Sequence, residues 1–240
     1  EYEGIEASIL LFRDLPADDP EMDALLLDRG LVKAPMLPSH VLPIDRDLEH
    51  YDRRLGRRRR MYMRRNVDNA ARYQRRIREP GSLTAAELEH LYDLYEAVAR
   101  KNLQLNVFLL PPEVFEAVLD NPSWELVTLH LDPEAGGPAD GRPVAFFAAY
   151  RHDKVYAGFV CGLDYRYVVE HGAYRQVLYQ SLLRARETGA DELRLGMGAD
   201  VEKRRFLTEL QDNCVYVQAR DHYGGAVLRE MVAEAGIGRP

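Results

Sequence analysis

The sequence predicts an α/β fold, with a mixed central sheet and helices on both faces. Three observations lead there. Short apolar runs of strand length alternate with longer segments of helical period. Three strand-like runs follow one another between Trp124 and Leu163. Gly, Pro, Asn and Asp punctuate nearly every junction between segments. The chain has 240 residues, of which 46% are hydrophobic and 30% charged. That is enough for one large domain, or for one and a half small ones. No run approaches the ~18 apolar residues of a membrane span, which argues against an integral membrane function.

The elements follow in order. Ala7 to Leu15 is a short apolar run closed by Pro16, and reads as a buried strand. Asp19-Pro20 opens a helix with Pro at its first position, running to about Asp28 and stopped by Gly30. Met36 to Ile44 is a short extended stretch. Asp47 to about Asn69 is helical in pattern, with Leu48, Tyr51, Leu55 and Tyr62 on one stripe and a break available at Gly56. Tyr73 to Glu79 reads as a strand. Thr84 and Glu87 form a capping box for the next helix. Pro111-Pro112 opens another helix, to about Asp120. Trp124–Leu131, Pro143–Tyr150 and Lys154–Leu163 read as strands, the last two forming a hairpin. Ala173 to Thr188 is a helix ended by Gly189. Glu192–Leu195 is a strand, Asp200–Leu210 a helix, Cys214–Ala219 a strand and Tyr223–Ala235 the last helix.

Charge is unevenly spread. The net charge is −7. Between Arg53 and Arg78 stand twelve arginines and one acid, Asp68, so the remainder of the chain carries −18. An acidic body with one basic stripe suits an anionic ligand or partner at that stripe. The alternative is a solvated helix face paired with acids of the body. Two cysteines, Cys161 and Cys214, make no disulfide framework, and a reducing cytoplasm is expected. The histidines and cysteines show no metal-ligand spacing, so no metal is expected. The opening residues EYEGIEAS lack Met, a basic stretch and an apolar core. They read as a processed or excised chain rather than a signal peptide.

Two motifs sharpen the fold. One is Gly158, Gly162, Leu163, Asp164 and Tyr165, followed by Tyr174-Arg175-Gln176 entering a helix. The other is Leu195-Gly196, then Ala199 to Arg205. With the order of elements, they resemble the GNAT acyltransferase fold, and within it the Fem-type (FemAB-like) group. Some relatives in that group are fused to, or encoded beside, α-oxoamine synthases. The resemblance implies a GNAT-like core over residues 67–240, preceded by a partial N-terminal half-domain with a basic helix over residues 1–66. It implies acyl transfer from a thioester, acyl-CoA or an acyl-phosphopantetheine carrier protein, to a small-molecule amine. Its alternatives are an inactive domain that recruits a carrier protein or an α-oxoamine synthase, and a tRNA-dependent aminoacyl transferase, ranked lower.

In this fold two parallel strands splay, here 154–163 and 192–195, and the gap takes the pantetheine arm. The next helix offers free N–H groups to phosphate. Gly158, Val160, Cys161 and Gly162 are the expected strand-side contacts, and Gly172, Ala173, Tyr174 and Arg175 the helix-side ones. The usual phosphate loop, Arg/Gln-x-x-Gly-x-Gly/Ala, is altered here to a segment with the single glycine Gly172. Asp164 fits a base or an amine-orienting group, and a turn cap is its structural alternative. Tyr165 fits the acceptor pocket. Lys203 fits a phosphate or oxyanion contact. Glu202 has the spacing for an ion pair with Arg205. Cys161 reads better as a small core residue than as a nucleophile. Many members place a tyrosine acid where this chain has Phe206, which leaves Tyr216, Tyr223 or water to protonate the thiolate.

Overall fold

The computed structural model describes residues 7–44, 53–102 and 109–234. The expected helical residues 47–52, with Leu48 and Tyr51, lie outside them, as does Ala235. The chain divides into two compact units, Glu1–Ser39 with Leu210–Pro240, and His40–Glu209.

The first unit holds β1 (Ile9–Pro16), α1 (Pro20–Leu27), the start of β2 (Val32–Pro43), most of β8 (Glu209–Ala219) and α7 (His222–Glu234). Asp19 caps α1 by accepting from the Met22 amide at 3.0 Å, and Pro20 follows it. Strand β1 runs antiparallel to β8, with a bulge between Phe12 and Leu15. Asp14 takes a left-handed φ of 66° there. Leu26, Leu31, Cys214 and Tyr216 form a small core. Asp23 accepts from both the Tyr216 hydroxyl and Lys33, at 2.7 and 2.6 Å.

The second unit carries the larger core. Its elements are α2 (Arg57–Ala70), β3 (Tyr73–Ile77), α3 (Ala85–Lys101), α4 (Glu113–Asp120), β4 (Trp124–Leu131), β5 (Ala145–His152), β6 (Val155–Leu163), α5 (Ala173–Glu187), β7 (Glu192–Gly196) and α6 (Asp200–Lys203). The strand order is β2-β7-β6-β5-β4-β3. Strands β3 to β6 form an antiparallel meander, and β6 and β7 are parallel. Helices α3 and α4 cover one face through Leu91, Tyr95, Phe115 and Leu119, which pack on Phe146 and Ala148. On the other face Val177, Leu178 and Leu182 of α5 and Met63 of α2 pack on Phe147, Ala149 and Tyr156. The alternation of Phe146 and Phe147 between the two cores is the period-2 pattern of a strand buried on both sides. The predicted α/β mixed sheet with helices on both faces is the observed fold.

Two local expectations need correction, and one at Gly56 agrees with the structure. The stretch read as a short extended run from Met36 is a twelve-residue strand starting at Val32. Gly56 falls at the expected break: Arg53 and Arg54 are helical, the chain leaves the helix at Leu55, and Gly56 is the N-cap of α2. The helix expected over Asp200–Leu210 stops early. Helix α6 ends at Lys203, a 3-10 turn covers Arg204–Phe206, and Leu207 takes φ 65°. Strand β8 begins two residues later, because strand pairing outweighs the local helical pattern.

Candidate active site

The site is built where β6 and β7 part. Their parallel register runs Val155↔Glu192, Tyr156↔Leu193 and Ala157↔Arg194, and stops there. Strand β6 continues to Leu163 with its other edge still paired to β5. The β5–β6 register shifts between Ala148, opposite Val160, and Ala149, opposite Gly158. Phe159 is therefore an extra residue on β6, and a bulge bends the strand. Gly196, Gly198 and Ala199 all take positive φ, at 67°, 69° and 53°. They turn the chain out of the sheet into α6. The edge of β6 beyond Ala157 thus has no strand partner on the β7 side among the described residues.

Helix α5 begins beside that strand. Gly172 is its N-cap with φ 70°, and the first helical hydrogen bond is Gln176 N–H to Gly172 O. The amides of Ala173, Tyr174 and Arg175 donate to no group among the described residues. Free N–H groups at a helix start suit an anion or a carbonyl. The approach loop is held from behind. Asn69 and the Tyr73 hydroxyl both donate to His171 O, at 2.5 and 2.9 Å. Arg72 donates to Ala135 O at 2.6 Å and contacts His171 Nδ1 at 3.3 Å. Gln176 donates to Asn66 O at 3.0 Å. A Cβ on Gly172 would also press on Asn69 Nδ2 at 3.2 Å, so glycine suits both the φ and the space.

Lys203 lies inside this arrangement. It is 3% exposed and donates to Gly196 O and Met197 O, at 3.1 and 2.7 Å. Burial lowers its pKa from 10.5 to about 8, against the opposing pull of Cys161 and Asp200. Asp200 itself bonds His40 Nε2 at 2.9 Å, and His40 Nδ1 meets Thr208 Oγ1 at 2.8 Å. This ties the first turn of α6 to β2. Beside it, Glu202 accepts from the Tyr62 hydroxyl at 2.7 Å, pairs with Arg205 at 2.9 Å and lies 3.5 Å from Arg175. The Glu202–Arg205 spacing read from the sequence corresponds to that ion pair. Burial and the bond to Glu202 push the Tyr62 hydroxyl up to about 12. Tyr62, Asn66 and Asn69 of α2 were not among the expected site residues. Their only sequence signal was the i, i+4, i+7 spacing of polar-tipped side chains on one helix face.

The expected site residues separate into groups. Gly158 is exposed, with room limited only by Arg194 O at 3.3 Å from a hypothetical Cβ. Cys161, Tyr165 and Tyr174 pack against one core, on the α5 side of β6. Burial raises the pKa of all three, and the Cys161 thiol reaches about 11. A thiol held protonated is a poor nucleophile. Lys101 sits over the Tyr165 ring, 3.2 Å from its centroid. Ala173 is fully buried, and Arg175 reaches outward to Glu202 and over Tyr62.

Some expectations meet competing roles. Val160 packs on the opposite core, under α3 and α4. Gly162 is a packing glycine, because a Cβ there would stand 2.1 Å from the Phe146 ring and 2.8 Å from the Leu94 backbone. Asp164 accepts from the Arg166 amide at 3.1 Å as a 3-10 cap, and its Oδ1 and Oδ2 both accept from the Arg166 guanidinium. Burial would raise its pKa, but Arg166 prevails and holds it below the ordinary range. Asp164 thus caps the 3-10 turn and pairs with Arg166. Phe206 is buried against the edge of Tyr62, with ring centroids 5.8 Å apart. Of the tyrosines expected to replace it, Tyr216 donates to Asp23, and Tyr223 is 81% exposed on α7.

Parted parallel strands followed by a helix with free N-terminal amides define an acyltransferase-like site. The chain belongs to the acetyltransferase (GNAT) domain family, whose model matches residues 56–204. Solved structures agree on the fold. L-PGS from Bacillus licheniformis superposes with a TM-score of 0.61 at 12% identity, covering 97% of this chain and 74% of that one. FemX superposes with a TM-score of 0.58 at 13% identity, covering 95% and 75%. No curated protein matches the chain. Among the described residues, no helix is long and apolar enough to cross a membrane, and no group of three His, Cys, Asp or Glu could hold a metal.

Proposed function

We propose that this protein is a Fem-like N-acyltransferase, moving an acyl group from a thioester to the amine of a small biosynthetic intermediate. One observation carries the reading: β6 loses its partner beyond Ala157 right where α5 presents three free amides. An extended amide-bearing arm, such as pantetheine, would pair along Gly158–Val160 as an added strand. A phosphate at its end would sit on the amides of Ala173, Tyr174 and Arg175.

The chemistry then falls to Lys203. Its two bonds to Gly196 O and Met197 O use two N–H groups. In the neutral form the lone pair is left to accept a proton, and a pKa near 8 suits a base at neutral pH. The acceptor nitrogen attacks the thioester carbonyl, a C–N bond forms and the C–S bond breaks. Lys203 takes the proton from the nitrogen, and that proton goes on to the departing thiolate. Tyr165 and Tyr174 wall the cleft near Cys161.

The test is thiol release from acetyl-CoA and from acetyl-N-acetylcysteamine against a panel of small amines. Saturable, amine-dependent release supports the reading. The Lys203→Met variant should lower kcat about 100-fold with little change in KM. Absence of both binding and release would overturn it. FemX among the structural neighbours favours one second reading, an aminoacyl group as the transferred acyl. Charged tRNA in place of the thioester tests it.

A further inference from the structure

The arginine stripe is two features. Those on and next to β3 are engaged: Arg75 pairs with Glu187, Arg78 with Glu87, and Arg72 bonds Ala135 O. Those on α2 are not. Arg57, Arg58, Arg59, Arg60, Arg64 and Arg65 are all exposed, and none has a side-chain hydrogen bond or ion pair among the described residues. In a chain of net charge −7, these six neighbouring cations hold no ion pair among the described residues.

They surround an apolar residue. Met61 is 53% exposed on the outward face of α2. Its helical neighbours at i−4, i−3, i+3 and i+4 are Arg57, Arg58, Arg64 and Arg65, with Cβ atoms about 5–6 Å away. A soft apolar knob inside a cationic ring is the pattern of a protein interface, where a central anchor is rimmed by charge. Phosphate polymers use the charge but have no use for the methionine. Unpaired nucleic-acid bases seek aromatic platforms, and the one aromatic of α2, Tyr62, is turned inward to Glu202 and Phe206. A lipid surface needs a broader apolar face than Met61 and Val67 provide.

The helix is also well placed. Through the Asn66 carbonyl, the Asn69 side chain and the Tyr62 ring under Arg175 it braces the start of α5, where the donor phosphate is proposed to bind. We infer that the outward face of α2 docks an acidic helical protein bearing an apolar contact residue, and that this partner delivers the acyl group on a phosphopantetheine arm. The inference rests on the thioester reading of the cleft. The partner's carboxylates would engage Arg57, Arg58, Arg64 and Arg65, its apolar residue would cover Met61, and its arm would pass Arg175 into the gap between β6 and β7.

The test uses the full chain with an acidic acyl-carrier protein in apo, holo and acetylated forms. Affinity is measured at low and at moderate salt. Binding is expected to weaken with salt. The double variant Arg57→Glu/Arg64→Glu should lose about tenfold or more in affinity, and Met61→Gln about fivefold. Gln keeps the helix propensity and the charge, so its effect reads the apolar contact alone. Both variants should turn over acetyl-N-acetylcysteamine at the wild-type rate, because that small thioester needs no docking. Failure of the carrier to bind overturns the inference. So does tight binding of bulk tRNA or anionic vesicles that Met61→Gln leaves unchanged. If small-thioester turnover persists in either case, the function stands and only the docking falls. If it is absent too, the function itself fails.

Discussion

Lys203 offers a test that needs no substrate. Its ammonium is buried among Gly196, Met197 and Cys161, and its pKa falls from 10.5 to about 8. At ~1.4 kcal/mol per pH unit, that displacement corresponds to about 3 kcal/mol. Below pH 8 the lysine is charged in both folded and unfolded chains, and the folded state bears the full cost of burying the charge. Between about 8 and 10.5 the unfolded chain binds the extra proton, so stability rises with pH. Above 10.5 both forms are neutral and the cost is gone. Met fills similar space without a charge. The stability gap between wild type and Lys203→Met should therefore move in favour of wild type by about 2–3 kcal/mol from pH 7 to pH 10. Urea titrations of both proteins at several pH values measure it, and other titrating groups cancel in the difference. Asp200 and Cys161 face the amine; the first is ionised throughout this range, and the second stays largely protonated below its pKa of about 11. A gap that stays flat with pH would refute a desolvated amine, and would remove the basis for Lys203 as a base.

Other changes have definite outcomes. Glu125 is 6% exposed; burial pushes its carboxyl up, but Arg184 at 2.6 Å, Arg151 and Tyr156 bring it below the usual range. Glu125→Leu removes the buried partner of Arg184 and Arg151, leaves Arg184 only Glu187 at 3.2 Å, and should cost about 3 kcal/mol in urea unfolding. Gly162→Ala drives a methyl into Phe146 and the α3 backbone, and should cost about 1–3 kcal/mol by thermal melt, with donor affinity unchanged in the folded fraction. Asp164→Asn should keep wild-type kcat while losing about 1 kcal/mol of stability from the cap; loss of turnover in a folded variant would return Asp164 to the catalytic candidates. Glu202→Gln weakens the hold on Tyr62, Arg175 and Arg205, and should raise KM for the donor more than it lowers kcat.

The fold was legible because the strands around the site are short, apolar and bounded by turn residues, and because buried alternation is local information. The capping box at Thr84 and the helix start at Pro20 were readable for the same reason: the interacting groups lie within four residues. The end of α6 was not, since the residues after Thr208 are drawn into β8 by pairing with a strand some two hundred positions earlier. Glycines show the limit well. Gly158, Gly162 and Gly172 look alike in sequence, yet one borders a gap, one lets α3 approach β6, and one turns the chain into α5.

The same logic explains why the site was half seen. Residues on β6 and the first turn of α5 are near the motif glycines and could be found by spacing. Tyr62, Asn66 and Asn69 act from a hundred or more positions away, through hydrogen bonds to Glu202, Gln176 and His171. No periodicity encodes such a partner. What the sequence did carry was an inconsistency, a helix with arginines on most exposed positions but Tyr62, Asn66 and Asn69 in one row. Arginine is dispensable for holding a helix against a sheet, and α5 is met from this helix by the Asn69 side chain and the Asn66 carbonyl. Two demands therefore act on one helix. Its inner row aims the N-terminus of α5 at the cleft, while its outer face is left with charge that nothing in the described chain neutralises.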